Sequence, residues 1–246
     1  MIAFVGKPHR MDSRRSQVHK ALRDVGFEHY YQAEEMGWVL YLEGSTDLSI
    51  LQAFAALLHH PAAIPLARPP FVHYVGNQPS RARDHFYALR EAKGDLAGLA
   101  LYDRLSSEPA SDPELRHLVW RRNEIENYLS QKETLLAFAG DQARVQGVEV
   151  LADAWRSTME DAIAEIETAL GSLGRPSPWS ADIKATDDFL DPVFKKFYEK
   201  LGLPNLMRKT DYHVLARHVP IASLDVEITE KLDAILEASR RAQPRT

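Results

Sequence analysis

Short apolar segments that alternate with amphipathic helical patterns are the feature that most constrains the fold of this chain. WVLYLEG (38–44) is such a segment, and TDLSILQAFAALLHH behind it repeats apolar residues at helical spacing and stops before Pro61. FVHYV (71–75) and LAGLALYDR (96–104) are separated by a second helical pattern, and HLVW (117–120) follows. Because parallel strands need a crossover, which is usually a helix, this alternation predicts an α/β fold with a mostly parallel sheet flanked by helices.

The same patterns predict how the chain is organised into segments. Residues 1–37 hold a strand and a helix, and the helix is predicted to end at Gly26, where glycine can adopt the left-handed conformation that caps helices. Residues 38–130 form the predicted α/β core. Residues 131–203 carry long helical patterns with no β-rich run, which predicts a helical insertion, and two helices in 204–246 are predicted to return to the core.

Composition limits the chemistry that is possible. The chain of 246 residues is 45% hydrophobic and contains no cysteine, which excludes disulfides, thiolate metal sites and cysteine nucleophiles. A net charge of −5 argues against a protein that coats nucleic acid through its overall field, although a local basic patch stays possible. With no run of 18 apolar residues and no secretory signal, we expect a cytoplasmic protein that does not bind membranes.

Carboxylates follow two of the predicted strands at the point where each strand ends. Glu43 comes after VLYL and Asp103 after LALY. The carboxyl ends of parallel strands share one edge of the sheet, where ligands bind, so we expect the two acids to meet there. Asp47 lies one helical turn beyond Glu43, and Gly44 leaves the turn between them uncrowded. The alternatives are that Asp47 is a favourable charge at a helix N-terminus and that Asp103 is a turn residue.

Three carboxylates in one place repel one another at neutral pH. Protonation or a cation must offset that repulsion. Oxygen ligands suit hard divalent ions, so the sequence favours Mg²⁺ or Mn²⁺ at this edge.

The segment WRRNEIENYL contains two further acids, Glu124 and Glu126. They share a face only if the backbone is extended, because in a helix their side chains diverge by about 200°. The apolar phasing of the segment fits a helix, which predicts that the two acids lie on different flanks and that one of them reaches the crevice. The alternative is a solvated helix start, balanced by the neighbouring arginines.

Basic residues supply candidates for binding phosphate. Lys209 precedes a predicted helix and could stabilise negative charge in a transition state, or it could be an ordinary solvated lysine. Other basic residues could follow a nucleic-acid backbone, although solvated helix faces explain them equally well: Arg81, Arg83, Lys195, Lys196 and Arg208.

Several familiar motifs are missing from the sequence. It contains no HExxH, no GxGxxG, no GxSxG and no GxxxxGK[ST]. On its own, this chain is not expected to hydrolyse ATP by a P-loop route.

The order of the acids resembles the Toprim domain of topoisomerases, primases and certain nucleases. That domain has a strand ending in EG, an acid shortly after it, and a later strand ending in Asp, as LYLEGSTDLSIL and LALYDR do here. Together with RRNEIENYL and RKTDYHVLARHVP followed by EITEKLDAI, these segments are similar to the carboxy-terminal half of the OLD (overcoming lysogenization defect) family nucleases. The similarity covers most of the chain from about residue 38.

The resemblance implies a Rossmann-like Toprim core with a helical insertion, and cleavage of DNA phosphodiesters by two Mg²⁺ or Mn²⁺ ions, with Ca²⁺ as an inert substitute. The catalytic residues that it implies are Glu43, Asp103 and Lys209, and the metal ligands are Glu43, Asp47, Asp103, Glu124 and Glu126. One departure is Leu105, which stands where the second acid of the family's DxD motif would be. Either that metal position is weaker, or Glu124 or Glu126 supplies the missing oxygen.

The resemblance also implies partners. In OLD proteins an ABC-like ATPase domain precedes this region, so we expect this chain to be the nuclease fragment of a longer protein that acts on DNA in repair or phage defence and could dimerise through the missing domain. A non-catalytic DNA-binding or regulatory module is the alternative. Other Toprim chemistry, such as primer synthesis or strand passage, ranks last.

Overall fold

The computed structural model describes the backbone of residues 2–5, 7–10, 15–67 and 71–244, and the side chains of 26–67 and 71–244. The chain folds as two compact units. The first unit consists of Met1–Gly44, Pro61–Val119 and Glu230–Thr246, and the second consists of Ser45–His60 and Trp120–Thr229. The segment boundaries expected at residues 130 and 203 stay predictions.

The strands of the described residues are, in chain order, β1 (Ile2–Val5), β2 (Lys7–Arg10), β3 (Trp38–Leu42), β4 (Val72–Tyr74), β5 (Ala97–Tyr102) and β6 (Leu115–Val119). The α-helices of the same residues are α1 (Arg15–Met36), α2 (Ser45–Leu57), α3 (Ala63–Ala67), α4 (Pro79–Arg90), α5 (Lys132–Val145), α6 (Ala152–Ser172), α7 (Asp191–Lys200) and α8 (Val226–Arg241). Between them lie 3₁₀ segments at Ile125–Tyr128, Glu149–Leu151, Lys209–His218 and Ile221–Ser223, and a π-helical turn at Ala185–Leu190.

The main sheet of the first unit has the strand order β4-β3-β5-β6, and every neighbouring pair in it is parallel. The predicted α/β fold with a parallel sheet is therefore confirmed, whereas the Toprim assignment stays a prediction. β1 and β2 form a separate antiparallel pair. In the register of the main sheet, Tyr41 of β3 lies opposite Ala100 of β5 and His73 of β4.

The central strands are buried because both faces of a parallel sheet are covered. All five residues of β3 are buried, which explains why WVLYL is a continuous apolar run. On one face, Tyr41 and Tyr102 belong to a core cluster that includes Phe86 of α4. Gly98 allows α4 to approach β5 closely, since a Cβ at this position would lie 2.5 Å from the Phe86 ring.

α1 consists of two helical stretches that meet at Gly26. α1 extends from Arg15 to Met36, and Gly26 interrupts it with φ 81° and ψ 155°. The predicted helix end at Gly26 is therefore confirmed, whereas the second helical stretch, which continues to Met36, was not predicted.

The second unit is helical. α5 packs against α6, and α6 against α7. Edge-to-face aromatic pairs connect α7 to both other helices, with ring centroids 5.9 Å apart for Trp155 of α6 and Phe197, and 5.4 Å apart for Phe138 of α5 and Phe194. α2 packs along the 3₁₀ segment Lys209–His218. The sequence predicted a helix there, and the structure shows the tighter 3₁₀ form.

None of the helices in the described part of the chain combines the length and the apolar character needed to cross a bilayer.

Candidate metal centres

Glu43 and Asp103 lie where the sequence places them, at the carboxyl ends of two adjacent strands. Glu43 follows β3 and Asp103 follows β5, and both are half-buried. The backbone around Glu43 is held by the end of β4, because the N–H of Gly76 donates to the Glu43 carbonyl at 3.2 Å. Two acids of the first unit therefore stand at one edge of its sheet. Their role as metal ligands stays a prediction.

Leu105, where the resemblance implies a second acid, has a side chain with a structural role. It is partly buried and packs against the core cluster of the sheet. The apolar residue therefore contributes to the packing of the first unit.

The other acids singled out in the sequence belong to the second unit, where Asp47, Glu124 and Glu126 are all buried. Asp47 lies in the first turn of α2. The 3₁₀ segment Ile125–Tyr128 contacts both α2 and the π-helical turn Ala185–Leu190. Contacts between segments distant in sequence thus bring this set of carboxylates into one part of the second unit.

The backbone at Glu124 is not helical, so the prediction that Glu124 and Glu126 lie on different flanks of a helix is wrong. Glu124 is extended, with φ −146° and ψ 165°, and precedes the 3₁₀ segment that contains Glu126. The N–H of Thr186 donates to the Glu124 carboxylate. Asn127 fixes the turn, since its Oδ1 accepts from the Glu124 N–H at 2.9 Å and its Nδ2 donates to the Ile183 carbonyl at 3.0 Å.

The carboxylates of this set repel one another when all of them are ionised. Burial is the main cause that raises the pKa of Glu126 to about 8, and the charges of Glu124 and Asp47 raise it further. Burial also raises the pKa of Glu124, against the hydrogen bond from Thr186. Near neutral pH a proton on Glu126 therefore relieves the repulsion, and a bound cation would relieve it in the same way.

Lys209 is a cation within electrostatic reach of Glu124 and Glu126, and Lys184 also acts on Glu124. Lys209 is exposed and begins the 3₁₀ segment Lys209–His218. Its charge lowers the pKa of Glu124 and Glu126, although burial outweighs this effect. The start of the segment is fixed by Asp211, whose Oδ2 accepts from the Arg208 N–H at 3.1 Å.

Glu227 is a buried acid that the sequence reasoning did not single out. Its carboxylate is fully buried and accepts hydrogen bonds from the Tyr128 hydroxyl and, at 3.0 Å, from the Arg121 N–H. These bonds anchor both ends of the segment that carries Glu124 and Glu126. The signal in the sequence was the apolar phasing of α8, in which a glutamate falls on the buried face.

The predicted nucleic-acid-binding residues are divided between the two units. Arg81 and Arg83 are exposed on α4 in the first unit. In the second unit, Lys195 and Arg208 are exposed. Lys196 forms ion pairs with two glutamates, at 3.2 Å to Glu199 and 3.8 Å to Glu165, which leaves less of its charge for phosphate.

A cluster of three histidines is the other group that the sequence did not reveal. His29 of α1, His73 of β4 and His85 of α4 each present a ring nitrogen, and these nitrogens all lie within 4.8 Å of one another. Their spacing in the chain matches no metal-binding motif. The one available signal was a histidine inside the apolar run FVHYV.

Comparison with known proteins does not assign a family. No family model, no curated protein and no solved structure matches this chain. The geometry of the two carboxylate sets is therefore the basis for a functional proposal, together with the resemblance of their motifs.

Proposed function

We propose that this chain is a divalent-metal-dependent DNA endonuclease or nickase that hydrolyses phosphodiester bonds, as the nuclease part of an OLD-like ATPase–nuclease. The observation that carries the proposal is the burial of Asp47, Glu124 and Glu126 together in the second unit. The charges of Glu124 and Asp47 raise the pKa of the buried Glu126 carboxyl, and a buried carboxyl perturbed by neighbouring charges is typical of functional sites.

The chemistry of the acids fits magnesium or manganese. All five proposed ligands are carboxylates, and hard divalent ions bind oxygen. Glu126 holds a proton up to about pH 8, so a cation would replace that proton. The proposed ligands are Glu43 and Asp103 in the first unit and Asp47, Glu124 and Glu126 in the second. When bound, such ions lower the pKa of water and stabilise the attacking and leaving oxygens of a phosphoryl transfer.

Side chains of the protein itself account for the remaining steps. Lys209 offsets the negative charge that accumulates on the phosphate in the transition state. The exposed Arg81, Arg83, Lys195 and Arg208 bind the DNA backbone through its phosphates, and this contribution weakens with added salt. Lys196 contributes less because it is paired with glutamates.

Leu105 favours a second candidate, a non-catalytic DNA-binding or regulatory module. An apolar residue in place of the second DxD acid removes one metal ligand that the family motif provides. Leu105 packs against the sheet core, so it has a structural role that is unrelated to catalysis.

Nicking of supercoiled plasmid DNA separates the two candidates. We expect the purified chain to nick the plasmid with Mg²⁺ or Mn²⁺, and to bind DNA without cleaving it when Ca²⁺ is supplied instead. Glu43→Gln and Glu126→Gln should each lower the nicking rate at least about 100-fold, since each removes a charge that acts in the transition state.

Matched controls test whether these losses are specific. Glu108→Gln, in the exposed loop after β5, and Glu133→Gln, exposed on α5, remove the same charge outside the carboxylate sets and should keep wild-type nicking. A gel shift with no metal-dependent nicking would favour the binding module. Wild-type nicking by both Glu43→Gln and Glu126→Gln would refute the proposal.

A further inference from the structure

The histidine cluster lies between three elements of the first unit. α1 packs against α4, and α4 packs against the sheet. This packing brings the half-buried rings of His29, His73 and His85 together. The cluster belongs to neither of the carboxylate sets described above.

A ring nitrogen of His29 and one of His85 lie about as far apart as two nitrogen ligands of a zinc ion. Nδ1 of His29 lies 3.0 Å from Nε2 of His85. In a tetrahedral zinc site with Zn–N bonds of about 2.0–2.1 Å, the nitrogens are about 3.3 Å apart. The third ring, His73, is stacked on His85 with centroids 3.8 Å apart and planes at 8°. A ring nitrogen of His73 nevertheless lies within 4.8 Å of those of His29 and His85.

The buried side chain of Tyr41 orients the ring of His85. The Tyr41 hydroxyl lies 2.9 Å from Nδ1 of His85, and Tyr41 is fully buried. Burial raises the pKa of Tyr41, so its hydroxyl stays protonated. When this hydroxyl accepts a hydrogen bond from Nδ1–H of His85, the lone pair of His85 is on Nε2, facing His29. Metal-binding histidines commonly have a partner of this kind on the nitrogen that does not bind the metal.

Burial disfavours the protonated forms of His73 and His85. Burial lowers the pKa of His85 to about 3 and that of His73 to about 4, and the neighbouring rings lower both further. Arg81 also lowers the pKa of His73, but its exposed side chain is screened by water.

We propose that His29, His73 and His85 form a binding site for a borderline transition-metal ion, best suited to Zn²⁺, with Tyr41 as the positioning residue of His85. Imidazole nitrogens favour Zn²⁺ and Co²⁺ over Mg²⁺ and Ca²⁺, which prefer oxygen. Three protein ligands leave a fourth tetrahedral position for water or another small ligand. This site is distinct from the carboxylate sets and does not depend on nuclease activity.

Metal titration of untagged, chelator-treated protein tests the site in the absence of DNA. We expect the chain to bind one Zn²⁺ or Co²⁺ in the presence of excess Mg²⁺, measured by calorimetry and by the visible spectrum of tetrahedral Co²⁺. X-ray absorption at the zinc edge of the wild-type chain should show three imidazole ligands. An ion bound by oxygen ligands alone, or no tight binding of Zn²⁺, would overturn the proposal.

Variants locate the site among the histidines of the chain. His73→Gln should weaken Zn²⁺ binding at least about 10-fold because it removes a ligand. Tyr41→Phe should weaken it about 10-fold, the usual effect of losing the hydrogen-bond partner of a metal-binding histidine. The matched control is His117→Gln. His117 is also half-buried and has a tyrosine hydroxyl, that of Tyr102, 3.1 Å from its Nδ1.

We expect His117→Gln to bind Zn²⁺ as the wild type does. Equal Zn²⁺ affinity in His73→Gln and the wild-type chain would refute the assignment, and so would an equal loss in His117→Gln. Circular dichroism of each variant, recorded before metal is added, checks whether its fold is intact. Because these measurements use neither DNA nor turnover, their outcome is independent of the nicking experiments.

Discussion

The hydroxyl of Tyr128 donates a hydrogen bond to the fully buried carboxylate of Glu227, which lies 99 residues further along the chain. The same carboxylate accepts from the Arg121 N–H at 3.0 Å. A single acid on α8 thus satisfies two donors of the segment that carries Glu124 and Glu126. The position of these acids depends on a residue far away in sequence.

Glu227→Ala should destabilise the protein, because it leaves the Tyr128 hydroxyl and the Arg121 N–H without their acceptor. A buried polar group that loses its partner costs about 1–3 kcal/mol, and we expect a loss of at least this size in the free energy of unfolding by urea. Glu237→Ala, on the same helix, removes an exposed ion pair with Arg116 and should cost less than about 1 kcal/mol. Equal losses in the two variants would contradict the anchoring role of Glu227.

The raised pKa of Glu126 predicts how stability depends on pH when a chelator keeps the protein free of metal. The carboxyl holds its proton up to about pH 8 in the folded chain and up to about pH 4.5 in the unfolded chain. Between these values the unfolded state binds fewer protons, so the contribution of Glu126 to the free energy of unfolding falls as pH rises, and it levels off above pH 8.

Glu126→Gln removes this titration. The stability of Glu126→Gln relative to the wild type should therefore increase between pH 5 and pH 8, as measured by urea unfolding at each pH. Glu133→Gln, on the surface of α5, should follow the wild-type pH dependence. Parallel pH profiles for the wild type and Glu126→Gln would show that Glu126 is ionised in the folded chain.

Gly98→Ala tests the close contact between α4 and the sheet. A Cβ at Gly98 would lie 2.5 Å from the Phe86 ring and 2.8 Å from Leu115 Cδ1. Relieving such an overlap costs about 1–3 kcal/mol, which should appear as a lower midpoint of urea unfolding. At Gly94, in contrast, an added Cβ meets no atom within 4 Å, so Gly94→Ala should leave the midpoint nearly unchanged. A stable Gly98→Ala variant would mean that α4 can move away from β5 at little cost.

Leu105→Asp places an acid where the resemblance implies the second residue of a DxD motif, but the structure predicts that this change destabilises the protein. Leu105 is partly buried against the sheet core, and an aspartate there would lose apolar contact and bring a charge close to the core. We expect a loss of about 1–2 kcal/mol in unfolding free energy, and no gain in nicking. Leu105→Met conserves volume and should cost less than about 1.5 kcal/mol. A stable Leu105→Asp chain with faster nicking would assign this position to the metal site.

The order of strands and helices and the place of Glu43 and Asp103 could be predicted because they follow from local patterns. A buried parallel strand is a continuous apolar run, and a helix repeats apolar residues every three to four positions. Crossover helices then force the strands to be parallel, which puts the ends of β3 and β5 at one edge. The break in α1 was also visible at Gly26, although the second helical stretch was missed.

The conformation around Glu124 could not be predicted in the same way. Its segment has the apolar phasing of a helix, but Asn127 and Thr186 bind the backbone and side chain of Glu124 in an extended form. The bond to Asn127 is a local capping interaction, whereas the bond from Thr186 is tertiary. Together they outweighed the local helical preference, whose strength is only a fraction of a kcal/mol per residue.

By itself, the sequence determined the α/β class, the parallel sheet and the acids at its edge, because periodicity and strand crossovers are properties of neighbouring residues. Only the tertiary structure decided that His29, His73 and His85 meet, and that Glu227 holds Tyr128. The physical reason is that contacts between side chains of separate elements depend on packing and strand register, which no local spacing of residues encodes.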